Sequence, residues 1–219
     1  PLLPGAIGFS KRLRVLGPRF WGPFGQVIRR ATRHWAAPWF QLRKELGLPP
    51  APDVNPITDS SSPLLHLALF STHLAMPQPG WPEATVVTGF PFHDRDGDGK
   101  LPADLARFLA DGPPPIVFTP SSSMASIAKP FLEESIQAAR RLGRRAVLVL
   151  GSGRTRPDSL PPNVAAFDYA PFSALFPRAA AIVHAGGIGT TALAMRSGRP
   201  MLVVPQTHDQ PDNADRVAQ

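Results

Sequence analysis

His184-Ala-Gly-Gly-Ile-Gly-Thr-Thr191, followed about twenty residues later by His208-Asp209-Gln210 and Asn213, holds the residue types that could do chemistry in this chain. Glycines let a ligand approach the backbone, the first amides of a helix have no intrahelical acceptor, and Thr190 and Thr191 add hydroxyl donors beside them. The guest such a turn suits is a phosphate. A helix end alone contributes ~0.3 to 2 kcal/mol toward an anion, whereas each charge-assisted hydrogen bond adds ~1.5 to 3 kcal/mol. The side chain of His184 therefore has to supply one of those bonds. A core histidine with glycines that merely pack a helix on a strand would account for either feature alone. Together with Asp209 and Gln210 at the tip of the next strand, they read as a ligand site.

The flanking sequence positions these groups. Ala181-Ile-Val183 is short, apolar and β-prone, and Thr190 to Arg196 reads as a helix closed by Gly198, so the glycines form a strand-to-helix turn. Upstream, Ile116-Val-Phe-Thr119 and Ala146 to Leu150 read as buried strands, and Phe131 to Leu142 between them as a helix. Glu133 and Glu134 in its first turn and Arg140 and Arg141 in its last complement the helix dipole. Val164 to Phe167, a short helix over Ser173 to Arg178, and Met201-Leu-Val-Val204 continue the alternation. Alternating strands and helices imply an α/β fold with a parallel sheet, right-handed crossovers and ligands at the carboxyl ends of the strands. His184, Ser122 and Asp209 all fall at such ends.

The earlier part is less regular. Residues 1–24 are rich in Gly and Pro and read as loop, and Gly25 to Leu46 reads as a helix bent at Pro38 and stopped at Gly47. Leu64 to Phe70 and Ala84 to Thr88 are short strands, and Leu101 to Leu109 a short helix. Asp94, Asp96, Asp98 and Gly99 match the start of a calcium-binding loop, but Leu105 stands where its bidentate Glu belongs and Pro102 interrupts it, so a solvated linker is expected.

The 219 residues, 43% of them hydrophobic, allow one large or two modest domains. The first residue is not Met and the last eight look like an interrupted helix, so the sequence reads as a fragment. Cysteine is absent, which excludes disulfides and thiolate metal sites and fits a reducing compartment. No run approaches the roughly 18 apolar residues a spanning helix needs. The net charge of +7 is regional: residues 1–50 carry nine Lys/Arg against Glu45 alone, the remainder fourteen against fifteen acids. With Phe20, Trp21, Phe24, Trp35, Trp39 and Phe40 interleaved, this region suits a membrane surface, an amphiphilic substrate or nucleic acid, or else helices with solvated basic faces, the reading we favour.

Common nucleotide signatures fail. Gly151 and Gly153 are followed by Arg156 where a dinucleotide fold needs its third glycine, Gly187 and Gly189 by Ala192, and no lysine follows Lys129 to complete a phosphate-binding P-loop. There is no Gly-x-Ser-x-Gly elbow, and the histidines lack metal-ligand spacing.

The run His184 to Thr191, the Gly198-x-Pro200 break, Pro205 and Asp209-Gln210-x-x-Asn213 instead resemble the donor-site signature of GT-B-fold glycosyltransferases that use nucleotide sugars, the UDP-glycosyltransferase superfamily. Phe118-Thr-Pro120, Tyr169-Ala-Pro171, Leu69-Phe-Ser71 and Thr88-Gly-Phe-Pro91 are similar to the rhamnosyltransferases of rhamnolipid synthesis and related bacterial enzymes. The resemblance covers about residues 64–219. It implies three parts: residues 1–92 as the trailing part of an N-terminal acceptor domain, 93–115 as an interdomain linker, and 116–219 as a Rossmann-like donor-binding domain. His184, Gly187, Gly189, Thr190, Thr191 and Ser122 would hold the donor diphosphate, Asp209 and Gln210 the sugar, and Tyr169 would stack on the base. Ser121 replaces a family glycine, and Ala192 stands where plant members carry a ribose-binding Glu.

The resemblance implies a hexosyltransferase acting from a UDP- or dTDP-sugar on a hydroxyl of a small or lipid acceptor, with no metal and no cofactor beyond the donor. The catalytic base is expected in an N-terminal segment outside this sequence, so the 219 residues alone are expected to be inactive. Partners would be the nucleotide sugar and a hydroxylated acceptor, with peripheral membrane contact and no nucleic acid, in the cytoplasm or at the inner membrane face. The alternatives are a nucleotide-sugar epimerase of the same fold and a non-catalytic nucleotide-sugar-binding subunit.

Overall fold

The computed structural model describes residues 17–59, 62, 64–78, 81–93, 99–120, 125–151, 156–157 and 159–219. Contacts divide the chain into two compact units: the larger holds Leu69–Met76 and Thr88–Gln219, the smaller holds the chain up to Ala68 together with Pro77–Val87.

In the smaller unit, helix α1 runs over Gly17–Thr32, a 3-10 turn over Arg33–Ala36 and helix α2 over Ala37–Glu45. The break therefore precedes Pro38, which sits in the first turn of α2, where a missing N–H leaves no hydrogen bond unmade. Helix α1 reaches back to Gly17 with Pro23 inside it, so its start lies within the stretch expected as loop. The fully buried Asn55 donates to the Arg29 carbonyl at 2.6 Å and to Thr32 Oγ1 at 3.1 Å, fastening the following loop to the end of α1. Arg33 stacks over Phe40 at 5.3 Å and Arg43 over Trp39 at 4.8 Å, so part of the basic, aromatic composition is spent within this unit. Strands β1 (His66–Ala68) and β2 (Thr85–Val87) pair in parallel, His66 opposite Thr85.

The larger unit is built on five parallel strands: β3 (Ile116–Thr119), β4 (Ala146–Val149), β5 (Val164–Phe167), β6 (Ala181–His184) and β7 (Met201–Val203). Helices α3 (Ala103–Ala110), α4 (Ala125–Arg141), α5 (Phe172–Leu175), α6 (Ile188–Ser197) and α7 (Gln210–Val217) accompany them. Alternate strand residues enter two separate cores, as a sheet buried on both faces requires. Val117, Val147, Val149 and Ile182 join Leu105 and Phe176 on one side, while Phe118, Leu148, Val164 and Ala166 join Leu132 and Ile136 on the other. Leu105 of α3 is completely buried, so the short helix expected over Leu101 to Leu109 packs into the sheet's core. Burying such a side chain is worth ~1.5 to 3 kcal/mol. The calcium-like acids 94–98 lie outside the described residues. Among the described residues no helix is long and apolar enough to cross a membrane.

The strand order β5-β4-β3-β6-β7 fixes where a ligand can sit. The chain begins in the middle at β3, builds outward to β5, then crosses back to place β6 on the other side of β3. The order reverses between β3 and β6, and the carboxyl ends of the strands at such a switch point are where sheets of this kind bind ligands.

Candidate functional site

His184 ends β6 at that switch point, opposite Thr119 of β3 and paired on its other side with Val203 of β7. The chain then turns through Gly186 at φ +90°, a conformation that a side chain rarely adopts. This turn brings the Gly186 N–H back onto His184 Nδ1 at 3.0 Å. The imidazole is fully buried, and loss of solvent holds its pKa down at about 4 against an ordinary 6.5. At neutral pH it is therefore uncharged, and because Nδ1 accepts a hydrogen bond the proton resides on Nε2. That Nε2 is buried and has no hydrogen-bond partner among the described residues. The turn thus supplies a single oriented neutral donor, so any charge assistance in a bond to it comes from the ligand. The site is also more enclosed than the sequence suggests, with no part of the imidazole open to solvent.

A depressed histidine pKa stabilises the fold fully above the unfolded value of 6.5, and the contribution is lost as pH falls toward 4, where unfolding takes up a proton. The interval is worth about 3 kcal/mol. Urea unfolding of the wild type should therefore show a stability decline between pH 6.5 and 4 that is missing from His184→Asn. Parallel pH profiles for the two proteins would remove this assignment.

The helix after the turn presents its amides unevenly. The Thr191 N–H bonds the Gly187 carbonyl at 2.9 Å and its hydroxyl bonds the same oxygen at 3.0 Å, with the side chain fully buried. Thr191, expected to offer both groups to a phosphate, here braces the first turn of α6. The amides of Ile188, Gly189 and Thr190 precede any intrahelical acceptor and carry the donor end of the helix. Gly187, the residue before α6, has open space where a side chain would project, and a β-carbon on Gly189 would meet only Phe90 Cζ at 3.7 Å. The half-buried Thr190 keeps its place in the same turn.

On the neighbouring strand's side, Asp209 immediately precedes α7 and is exposed, while Gln210 is 4% exposed. Gln210 Oε1 accepts the backbone N–H groups of Gln206 and Thr207 at 2.9 and 3.1 Å, which ties down the loop leaving β7. That carbonyl oxygen is a brace of the loop. His208 stands just before them at φ 55°, a left-handed conformation that costs a non-glycine residue ~1 to 2 kcal/mol and that the loop bonds hold in place. Tyr169 follows β5 at the far edge of the sheet and is 43% exposed. Ser122, in the loop after β3, lies outside the described residues. His184, the glycine turn and Asp209 thus share the carboxyl side of adjacent strands, while Tyr169 lies beyond β4.

A feature the sequence does not disclose adjoins the start of α6. A largely apolar cavity of about 370 Å³ is lined by Phe70, Leu74, Phe90, Phe92, Ile188 and Met195, with Ser71, His73, Ala192 and Arg196 completing the wall. Arg196 lies over the Phe92 ring at 4.6 Å. Its lining comes from three separated stretches, and only the α6 residues carry a helical spacing that could have drawn notice.

Residues 136–219 match the family described as erythromycin biosynthesis protein CIII-like, C-terminal domain. The chain is 37% identical over 212 residues to the O-mycaminosyltylonolide 6-deoxyallosyltransferase of Streptomyces fradiae, covering 92% of this chain and 49% of that protein. It is 34% identical over 180 residues to the vancomycin aglycone glucosyltransferase of Amycolatopsis orientalis, covering 81% and 42% respectively. The chain thus spans about half the length of the curated relatives it matches. Among solved structures, a spinosyn rhamnosyltransferase superposes with a TM-score of 0.63 at 20% identity, over 100% of this chain and 69% of that one, a likeness of fold.

Proposed function

We propose that the chain is part of a glycosyltransferase of GT-B fold, a reading supported by its match to the CIII-like C-terminal domain and by its 37% identity to a deoxyallosyltransferase over about half of that protein, and that the protein containing it transfers a hexosyl group from a UDP- or dTDP-sugar to a hydroxyl of a small or lipid acceptor. The observation that carries this reading is the buried, unpaired Nε2 of His184, set by Gly186 beside the open end of α6 at the sheet's switch point.

Sugar transfer builds positive charge at the anomeric carbon and negative charge on the departing diphosphate, so donors aimed at that diphosphate act where charge develops. In our reading the Nε2–H of His184 and the amides of Ile188, Gly189 and Thr190 provide this stabilisation, with the Thr190 hydroxyl beside them, and the family resemblance adds Ser122 as a further donor. The absent side chain at Gly187 leaves room for the phosphates. Asp209 accepts from sugar hydroxyls, Gln210 contributes through its amide, and the exposed ring of Tyr169 stacks on the base. Because His184 is enclosed, contact with the diphosphate requires the wall over Nε2 to part on binding. The cavity beside Ile188 suits an apolar portion of the acceptor. No residue of this chain is assigned as the base that deprotonates the acceptor.

The first donor to try is a 6-deoxyhexose. The resemblance of Phe118-Thr-Pro120 and Tyr169-Ala-Pro171 to motifs of rhamnolipid rhamnosyltransferases favours it, and so does the 37% identical relative, whose name specifies a 6-deoxyallosyl group. A cytoplasmic site of action belongs to the same proposal.

The full-length protein should be incubated with radiolabelled UDP- and dTDP-sugars, with and without hydroxylated lipids and polyhydroxylated aglycones. Label moving into an acceptor-dependent glycoside is the expected result. An isomerised nucleotide sugar formed without acceptor would replace this reading with an epimerase, and tight donor binding without turnover would replace it with a binding subunit.

A further inference from the structure

Asn213 lies on α7, 27 residues from the glycine turn, and is 7% exposed. Its Nδ2 donates to the Gly186 carbonyl at 2.8 Å and to Asp209 Oδ2 at 2.8 Å. Both partners are acceptors with no proton to give, so the side-chain atom between them must be the amide nitrogen, and its two N–H groups are both spent. The peptide groups flanking Gly186 are then held on both sides, its N–H on His184 Nδ1 at 3.0 Å and its carbonyl on Asn213. One unbroken path runs from the imidazole through Gly186 and the Asn213 amide to the Asp209 carboxylate.

We propose that Asn213 is a positioning residue that locks the Asp209 carboxylate to the glycine turn, so that donor diphosphate and donor sugar are gripped by one preorganised unit. The proposal rests on the donor-site reading above and assigns the part that makes its two halves act together. Asp209 is exposed at the start of a helix, where a carboxylate otherwise samples several rotamers. The bond from Asn213 engages Oδ2 and directs Oδ1 as the acceptor for a hydroxyl, and preorganisation of this kind raises affinity by removing ordering costs from the binding step. No other side chain fits the same role. Gln would overshoot by a methylene, Asp would set a third acceptor and a second negative charge against Asp209, and Leu would fill the volume without a donor.

The test uses the full-length protein and two pairs of probes, UDP with UDP-glucose and dTDP with dTDP-rhamnose, taking the pair that the wild type binds. Calorimetry gives the ratio of dissociation constants for nucleotide sugar over free nucleoside diphosphate. Asn213→Leu should raise that ratio at least fivefold, Asp209→Ala should raise it by a similar factor, and the double variant should add less than a further twofold, as contacting residues in one network do. A general loss of structure would weaken both ligands equally and leave the ratio unmoved. Asn213→Ser, which keeps one donor and a smaller volume change, should fall between wild type and Asn213→Leu and serves where the Leu variant does not fold. A ratio unmoved in the folded variants, or factors from Asp209 and Asn213 that multiply independently, would overturn the proposal while leaving the donor site intact. A wild type that binds neither pair would overturn the donor-site reading itself.

Discussion

His184→Ala is expected to lower turnover of the full-length protein at least tenfold. The lost group is one neutral N–H donor aimed at a developing phosphate charge, and a hydrogen bond to a charged partner is worth about 1.5 to 3 kcal/mol, which corresponds to about ten- to a hundredfold in rate. His184 is also fully buried at the end of a central strand, so the Ala variant loses packing as well as chemistry. His184→Asn separates the two effects. Its Oδ1 can still accept the Gly186 N–H that Nδ1 accepts now at 3.0 Å, but its amide stops short of the Nε2 position. The Asn variant should therefore lose less stability at pH 7 than the Ala variant and still lose turnover by the same order. A folded Asn variant with wild-type turnover would take the imidazole out of the mechanism and leave it a core residue.

The parallel α/β architecture is legible because both sheet faces are buried and the strands read as apolar runs. Ile116–Thr119 and Val164–Phe167 fall at the boundaries that their composition suggests. Helix α6 starts two residues earlier than the periodicity indicates, at Ile188, because Gly189 reads as a breaker. In the first turn a glycine amide has no partner to lose, and an open approach to it is what an anion needs. Helix α1 is hidden for a related reason, since Pro23 and the surrounding glycines obscure it. What no local pattern could supply is the set of long-range relations. The charge state of His184 follows from burial by distant segments, the double duty of Asn213 from a contact 27 residues away, and the cavity beside Ile188 from stretches separated in the sequence. Residue types thus named the components of the site, and the three-dimensional contacts divided them into donors and braces. Thr191 and the Gln210 oxygen both brace the loops around the site.

Two adjacent glycines give the sharpest contrast. A β-carbon on Gly186 would stand 2.6 Å from Val203 Cγ1 and 3.2 Å from the Gln210 carbonyl oxygen, in a backbone held at φ +90°. The first clash falls on a strand residue and the second on the backbone at the start of α7, so relief requires β7 or the sugar-side helix to move. Strain at such a backbone position costs ~1 to 3 kcal/mol and overpacking a further ~1 to 3 kcal/mol, so Gly186→Ala should lose about 2 to 6 kcal/mol of stability. For a domain of this size even the lower figure lowers the thermal midpoint by about 4 to 8 °C. Gly187 has φ −59° and nothing within 4 Å of the same added atom. Gly187→Ala should stay within about 1 kcal/mol of wild type, the small cost of replacing glycine next to a helix start. The functional outcome should run the other way. The methyl group at 187 occupies the open space that the phosphates need, so this variant should fold normally and raise the KM for the nucleotide sugar by about tenfold or more, the equivalent of one lost contact. Equal stability losses in the two variants would mean that the turn is a packing device throughout, and an unchanged KM in Gly187→Ala would move the diphosphate away from the start of α6.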